Sequence, residues 1–215
     1  MSISFNSFRE IEKEDKPTCK NYWNSLKYIV LMNMDKIKAK LLDKDDIQRN
    51  LIRIAHEIIE KNNTLDDLVL IGIRTRGDFL AHRIHDIINK NVGKDLPIGT
   101  LDVTFYRDDF RTNLGSPKIG ASNILFDIEG KVVILIDDVL YTGRTIRAAM
   151  DEIFTYGRPK SIQLGVLIDR GHRELPIRPD YVGKNFPTSI NEHIHVHLKD
   201  VDDEDVILLV KYQEN

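Results

Sequence analysis

Val132–Thr145 reads VVILIDDVLYTGRT, and the order of its residue types decides the fold. The run Val132–Ile136 is apolar without a break, as a strand buried on both faces of a sheet requires. Asp137 and Asp138 follow, then a short turn rich in hydroxyls and glycine, then a helix over Arg144–Tyr156 that Gly157 and Pro159 end. Strand, polar turn and helix make one unit of an α/β sheet. In open parallel sheets, ligands sit where strands give way to helices.

Working outward from that unit, the alternation continues on both sides. Ile47, Leu51, Ile54, Ile58 and Ile59 recur at helical spacing behind an acidic cap at Lys44-Asp45-Asp46, and this helix stops near Asn62-Asn63. Leu68–Ile73 (LVLIGI) predicts a buried strand, Asp78–Asn91 a helix, and Ile98–Tyr106 a partly alternating strand. Beyond the central unit, Ser161–Ile168 predicts another buried strand. Pro176, Pro179 and Pro187 mark an irregular segment, and short strands follow at His193–Leu198 and Val206–Tyr212. The class is α/β, with a central, mostly parallel sheet flanked by helices.

Two segments stand outside this pattern. Arg107–Asn123 contains Gly115, Pro117 and Gly120 and no period, which predicts a long flexible loop; loops of that length are usually functional covers or disordered. Residues 1–33 are polar and mixed in charge and read as a flexible N-terminal extension, or as a start codon set too early with Met34 as the true start. Tyr22 and Trp23 are isolated aromatics within it. Residues 34–215 are then the single domain, a size that buries one sizeable core.

Composition excludes several classes. The net charge of −3 hides five acids in Asp200–Asp205 (DVDDED); without that −5 the rest carries +2, so a local basic face is available although a generally basic nucleic-acid binder is not indicated. The single cysteine, Cys19, forms no internal disulfide framework and suits a reducing compartment, so the cytoplasm is the expected location. No apolar run approaches the ~18–20 residues that span a bilayer, and the first residues lack the layout of a signal peptide.

The chemistry follows from the central unit. Backbone N–H groups of the turn Leu140-Tyr141-Thr142-Gly143-Arg144-Thr145, with the hydroxyls of Thr142 and Thr145, can wrap a phosphate at the positive end of the following helix, and Gly143 permits close approach. Adjacent carboxylates would repel that phosphate, so the natural partners of Asp137 and Asp138 are ribose hydroxyls or a hydrated Mg²⁺. An anion cradle beside two acids suggests a sugar phosphate. Seen alone, the same residues also serve a plain helix cap. There is no G-x-G-x-x-G after a strand, and Gly72–Gly77, with G-x-x-x-x-G spacing, continues Asp78-Phe79 in place of Lys-Ser/Thr, so neither a dinucleotide site nor a P-loop fits.

IDDVLYTGRTIRAAMD is similar to the motif with which type I phosphoribosyltransferases bind 5-phosphoribosyl-1-pyrophosphate (PRPP). RIAHEIIE, GIRTRG, TFYRDD and RPKSIQLGVLIDRGHRELPIRPDYVGKNFPTS resemble the PyrR family, from Ile47 to the C-terminus. The resemblance implies the type I fold, a small hood and a long flexible loop over the site, and an enzyme that makes UMP and pyrophosphate from uracil and PRPP with Mg²⁺. It also implies UMP-dependent binding of pyr leader mRNA, and a homodimer or higher homo-oligomer. The alternatives are a phosphoribosyltransferase without the RNA role, or one for another base.

Carried over residue by residue, the resemblance implies that Asp137 and Asp138 hold the ribose hydroxyls and Val139–Thr145 the 5′-phosphate. Thr75 and Arg76, with Arg74 beside them, would form a pyrophosphate-binding turn, and Arg107 would meet the pyrophosphate as the loop closes. Arg170 and Ile194 would serve uracil in the hood. The chemistry agrees: displacing pyrophosphate from C1 builds positive charge on the sugar and negative charge on the leaving group, which arginines and Mg²⁺ stabilise.

Further residues carry two readings each. His193, His195 and His197 share one strand face, which alternation alone produces, and the family pattern has no histidine metal ligands there, so no protein metal site is expected. Arg49, Arg53, His56, Arg158 and Lys160 could form the basic surface that family members turn to RNA, or simply be solvated helix faces. Ile52 stands where well-known family members carry threonine in T-R-I-A-H-E, a departure that bears on RNA binding more than on catalysis.

Overall fold

The computed structural model describes residues 37–62, 64–103 and 122–211. Its central strand is β4, Val132–Leu140, flanked by β2, Leu68–Ile73, on one side and β5, Ser161–Asp169, on the other. β3 (Ile98–Leu101) and β6 (Tyr181–Asn185) complete a five-stranded sheet of order β3-β2-β4-β5-β6 in which every pairing is parallel. The continuous apolar runs are explained by cover on both faces. Leu68, Leu70, Ile134 and Ile136 pack toward α1 (Lys44–Lys61) and α2 (Arg76–Val92), while Val69, Ile71, Val133 and Leu135 pack toward α3 (Arg144–Tyr156). Each fully buried Leu or Ile contributes roughly 1.5–3 kcal/mol of burial free energy.

A second, three-stranded sheet has the order β1-β8-β7, from β1 (Ile37–Leu42), β8 (Val206–Lys211) and β7 (Glu192–His197). β7 and β8 are antiparallel, with His195 opposite Leu208. This is the expected hood, and Val196, Leu198 and Ile207 join it to the α1–α2 side of the core.

The local differences from the sequence expectations have physical causes. α1 is capped by Asp43, not by Lys44-Asp45-Asp46: the Asp43 carboxylate accepts the Asp46 N–H at 2.9 Å, and Asp46 returns the bond to the Asp43 N–H at 3.2 Å. α2 begins at Arg76, two residues before the expected start. β3 stops at Leu101, with Asp102 and Val103 outside it, and the rest of the span expected to reach Tyr106 lies outside the described residues. β6 forms between Pro179 and Pro187, where an irregular segment was expected; its parallel partner β5 supplies the ladder that its own composition does not advertise. β1 had no sequence signal at all.

Candidate active site

Because the five-stranded sheet is parallel, the C-terminal ends of β2, β4 and β5 come to one edge. Two glycines fix what meets there. A Cβ on Gly72 would lie 2.4 Å from the Asp78 Cα, and one on Gly77 would lie 2.6 Å from the Ile136 carbonyl oxygen. Only without those side chains can the first turn of α2 rest on β4 beside Asp137, which sets the positive end of a helix against the acidic pair.

Asp137 and Asp138 are buried and lie within β4 itself, which runs on to Leu140 rather than ending with the apolar run at Ile136. Each carboxylate is oriented by its neighbour's backbone: Asp138 N–H donates to Asp137 Oδ1 at 2.9 Å and Val139 N–H to Asp138 Oδ1 at 2.8 Å. Among the described residues no three His, Cys, Asp or Glu side chains gather as a metal cage. Two adjacent carboxylates do suit a Mg²⁺ ion that keeps waters and substrate phosphates as most of its ligands.

The turn after β4 is tight. Gly143 has φ 94°, which an L side chain rarely adopts, and it caps α3 without a side-chain bond. The Thr142 hydroxyl accepts the Arg144 N–H at 3.3 Å, and Thr142 is buried. Thr145 is half-buried in the first turn of α3, while Arg144 turns outward to Glu174, with Nε to Oε2 at 2.8 Å. Val139, Leu140 and Tyr141 contribute the backbone leading into the turn.

At the end of β2, the Arg74–Thr75 peptide is cis, and Thr75 is exposed at the N-cap of α2 without a side-chain capping bond. Arg74 Nη1 stands 3.9 Å from the buried Asp102 carboxylate. Arg76 is held from the hood: its Nε and Nη2 donate to Asp202 at 3.2 and 3.0 Å. About two helical turns further along α2, Arg83 binds Asp205 and Asp200 of the same acidic turn.

Arg170 sits at the base of the hood, buried, with two of its guanidinium nitrogens bound by protein. Nε donates to Thr188 Oγ1 at 3.1 Å, Nη2 to the Glu192 carbonyl at 2.6 Å, and the guanidinium lies 4.0 Å from the Tyr141 ring centre. Its side chain therefore joins the turn after β4 to β7. Ile194, half-buried on β7, packs against the core cluster. His193 and His195 are partly buried on the other face of β7, and burial first, then neighbouring positive charge from Arg170 and Arg76 respectively among others, pushes both below the ordinary histidine range.

The phosphoribosyl transferase domain model matches residues 39–201. The Bifunctional protein PyrR of Thermoanaerobacter pseudethanolicus is 59% identical over 167 residues, covering 78% of this chain and 94% of that protein. The chain belongs to the PyrR family of phosphoribosyltransferases. The PyrR of Pelotomaculum thermopropionicum agrees, at 53% identity over 181 residues, 84% of this chain and the whole of that protein. A hypoxanthine phosphoribosyltransferase structure from Staphylococcus aureus superposes with a TM-score of 0.61 at 22% identity, over 83% of this chain and 95% of that one. That likeness confirms the type I phosphoribosyltransferase fold.

Among the described residues, no contact joins Arg49, Arg53, His56, Arg158 and Lys160 into one patch. Arg49 and His56 are exposed on α1, Arg49 paired with Asp46 and His56 Nε2 at 3.0 Å from Asn91 Nδ2. Arg53 is committed: it pairs with Glu57 and donates to the Val182 and Gly183 carbonyls at 2.9 and 2.5 Å, covering the β6 edge. Arg158 and Lys160 are exposed at the start of β5, where their backbones meet Glu129, Gly130 and Lys131. Arg107, the loop around it and residues 1–33 lie outside the described residues.

Sequence reasoning missed four residues that organise this edge: Arg173, Asp202, Lys38 and Glu192. Lys38 Nζ donates to Glu192 Oε1 at 2.5 Å, tying β1 to β7. The available signal for Arg173 and Asp202 was position alone, in a stretch of high family specificity and in the acidic cluster.

Proposed function

We propose that the chain transfers the phosphoribosyl group of PRPP to uracil, giving UMP and pyrophosphate, and that with UMP bound it recognises pyr leader mRNA to attenuate transcription. The observation that carries this is its identity with proteins named bifunctional PyrR over nearly their whole length. Asp137 and Asp138 hold the ribose hydroxyls, and the turn Val139–Thr145 holds the 5′-phosphate. Arg74, Thr75 and Arg76 receive the departing pyrophosphate, with Arg107 joining from the loop. Mg²⁺, when bound with PRPP beside Asp137 and Asp138, would supply charge neutralisation of the diphosphate. Uracil lies under the hood near Arg170 and Ile194, held largely by backbone groups, with the Arg170 guanidinium fixing the wall rather than touching the base.

The arrangement favours charge separation at C1: carboxylates face the sugar that becomes positive, and guanidiniums face the leaving group. A homodimer or higher assembly and a cytoplasmic location belong to the same proposal. Among the described residues no helix is long and apolar enough to cross a membrane.

One observation favours a second reading, the enzyme without the regulator. Arg53 already serves the β6 carbonyls, and the neighbouring Ile52 is exposed and apolar where RNA would approach. The test has two arms. Purified protein given PRPP, Mg²⁺ and a panel of uracil, orotate, hypoxanthine and adenine should release pyrophosphate with uracil alone; a preference for another base overturns the acceptor. Leader hairpin should bind more tightly than random RNA and more tightly with UMP. Arg49→Ala or Lys160→Ala, each removing one cation from the phosphate backbone, should lower the salt slope by about one. Leader binding no better than random RNA leaves the enzyme alone.

A further inference from the structure

The loop after β5, Asp169–Ile177, is the part of the family-specific stretch that the transfer reaction leaves without a task, and its Arg173 is its centre. Arg173 Nη1 donates to the Tyr141 carbonyl at 2.8 Å and reaches the Leu140 and Gly171 carbonyls at 3.4 and 3.3 Å. Its Nε donates to the Ile177 carbonyl at 3.1 Å, and its Nη2 pairs with Asp169 at 2.6 Å. The next carbonyl of the phosphate turn, on Thr142, accepts the N–H groups of Glu174 and Leu175 at 3.0 and 3.2 Å. Three successive carbonyls, Leu140, Tyr141 and Thr142, are thus gripped by one neighbouring loop.

We infer that Arg173 is a positioning residue for the 5′-phosphate, acting through the backbone it holds and not by touching the substrate. A trans peptide is planar, so its N–H points opposite to its C=O. A carbonyl held toward the Asp169–Ile177 loop turns the N–H of Tyr141, Thr142 or Gly143 away from that loop. Those are the N–H groups that must face a phosphate in this turn. The guanidinium also sets a positive charge behind the cradle, and Asp169 fixes the direction of its fork. Lysine cannot replace it: one ammonium has three donors on a single atom, whereas Arg173 spreads its bonds over three nitrogens and five acceptors.

This inference rests on Leu140–Thr145 being the phosphate cradle, so the experiment tests both. Calorimetric titrations of UMP, of PRPP with Mg²⁺ and of pyrophosphate with Mg²⁺ are compared for wild type, Arg173→Lys and Asp169→Asn. Arg173→Lys should weaken UMP and PRPP roughly tenfold or more, as a misplacement of a fraction of an ångström in a binding group does, and leave pyrophosphate within about twofold. Asp169→Asn, which keeps the arginine and loses its anchor, should give the same selectivity with a smaller loss, and it decides the matter if Arg173→Lys does not fold. Unchanged UMP affinity in the folded variants overturns the positioning role, as does an equal loss for pyrophosphate. Wild type that binds neither UMP nor PRPP overturns the cradle itself.

Discussion

The two halves of the active edge are built by different means. On the side proposed for phosphate and ribose, the side chains are set by near neighbours and the turn by one loop: Asp137 and Asp138 are oriented by the next N–H along the chain, the Thr142 hydroxyl takes the Arg144 N–H two residues on, and the Asp169–Ile177 loop holds the carbonyls of Leu140, Tyr141 and Thr142. On the hood side, the joins cross the whole sequence. Lys38 reaches Glu192, Arg76 reaches Asp202, Arg83 reaches Asp200 and Asp205, and Arg170 reaches Thr188 and the Glu192 carbonyl. Local hydrogen bonds cost little ordering entropy because the chain already holds the partners close. The distant ion pairs depend on the folded sheet to bring their partners together. The first half is therefore held within β4, its turn and the loop after β5, whereas the second depends on charge pairs that cross the sequence.

The contrast is broken most severely at the acidic pair. Asp138→Asn keeps shape and volume and removes one charge from the pair proposed to face the sugar, so kcat/KM for PRPP should fall by ~10²-fold or more while the melting temperature holds. Activity retained at wild-type level would remove the acidic pair from the reaction and with it the division of labour between the halves.

A smaller effect is expected where the hood reaches across to Arg76, in the turn proposed for pyrophosphate. Asp202 binds Arg76 through both its oxygens and accepts the Leu198 N–H at 2.9 Å, so it holds the guanidinium in one orientation. Asp202→Asn should raise the KM for PRPP roughly tenfold with the KM for uracil unchanged, because the remaining amide offers one acceptor oxygen in place of two. Equal changes in both constants would mean that the acidic turn merely supports the hood.

The same contrast explains what could be read in the sequence. Val132–Thr145 declared its strand, its acids and its turn because all of them are neighbours in the chain, and α1, α2 and α3 declared themselves by apolar spacing. The acidic pair was placed after its strand rather than inside it because a strand end carries no marker of its own when ladder partners such as Val139 with Ile168 extend it. β1 and β6 were invisible: Ile37–Leu42 (IKAKLL) and Tyr181–Asn185 (YVGKN) have little pattern, and tertiary pairing alone makes them strands. Arg170 and Arg53 were recognised as important residues, yet their side chains are spent on protein carbonyls, which no local pattern reveals. Asp200–Asp205 shows in the sequence only as a cluster of acids; that it clamps α2 has no local sign, because its partners Arg76 and Arg83 lie more than a hundred residues away in sequence.

The mildest test is acid. Glu192 is held at about 2, below its ordinary 4.5, first by the hydrogen bond from Lys38 and then by the Ser189 N–H. A carboxylate with a depressed folded pKa contributes stability that is fully present above its unfolded pKa and is lost as pH falls through the folded one. The hood should therefore loosen between about pH 4.5 and pH 2, while at neutral pH nothing changes. Asp46, Asp67 and Asp205 are also lowered and titrate in the same direction, so the wild-type melting curve alone does not isolate Glu192. Glu192→Gln does: its melting temperature should fall less steeply than wild type over that window. Asp67→Asn, which breaks an exposed pair with Lys131 far from the hood, should alter the slope less, since solvent screens such pairs. Identical acid slopes for wild type and Glu192→Gln would show that the Lys38–Glu192 join is carried by packing, and that the hood is as insensitive to charge as the phosphate turn.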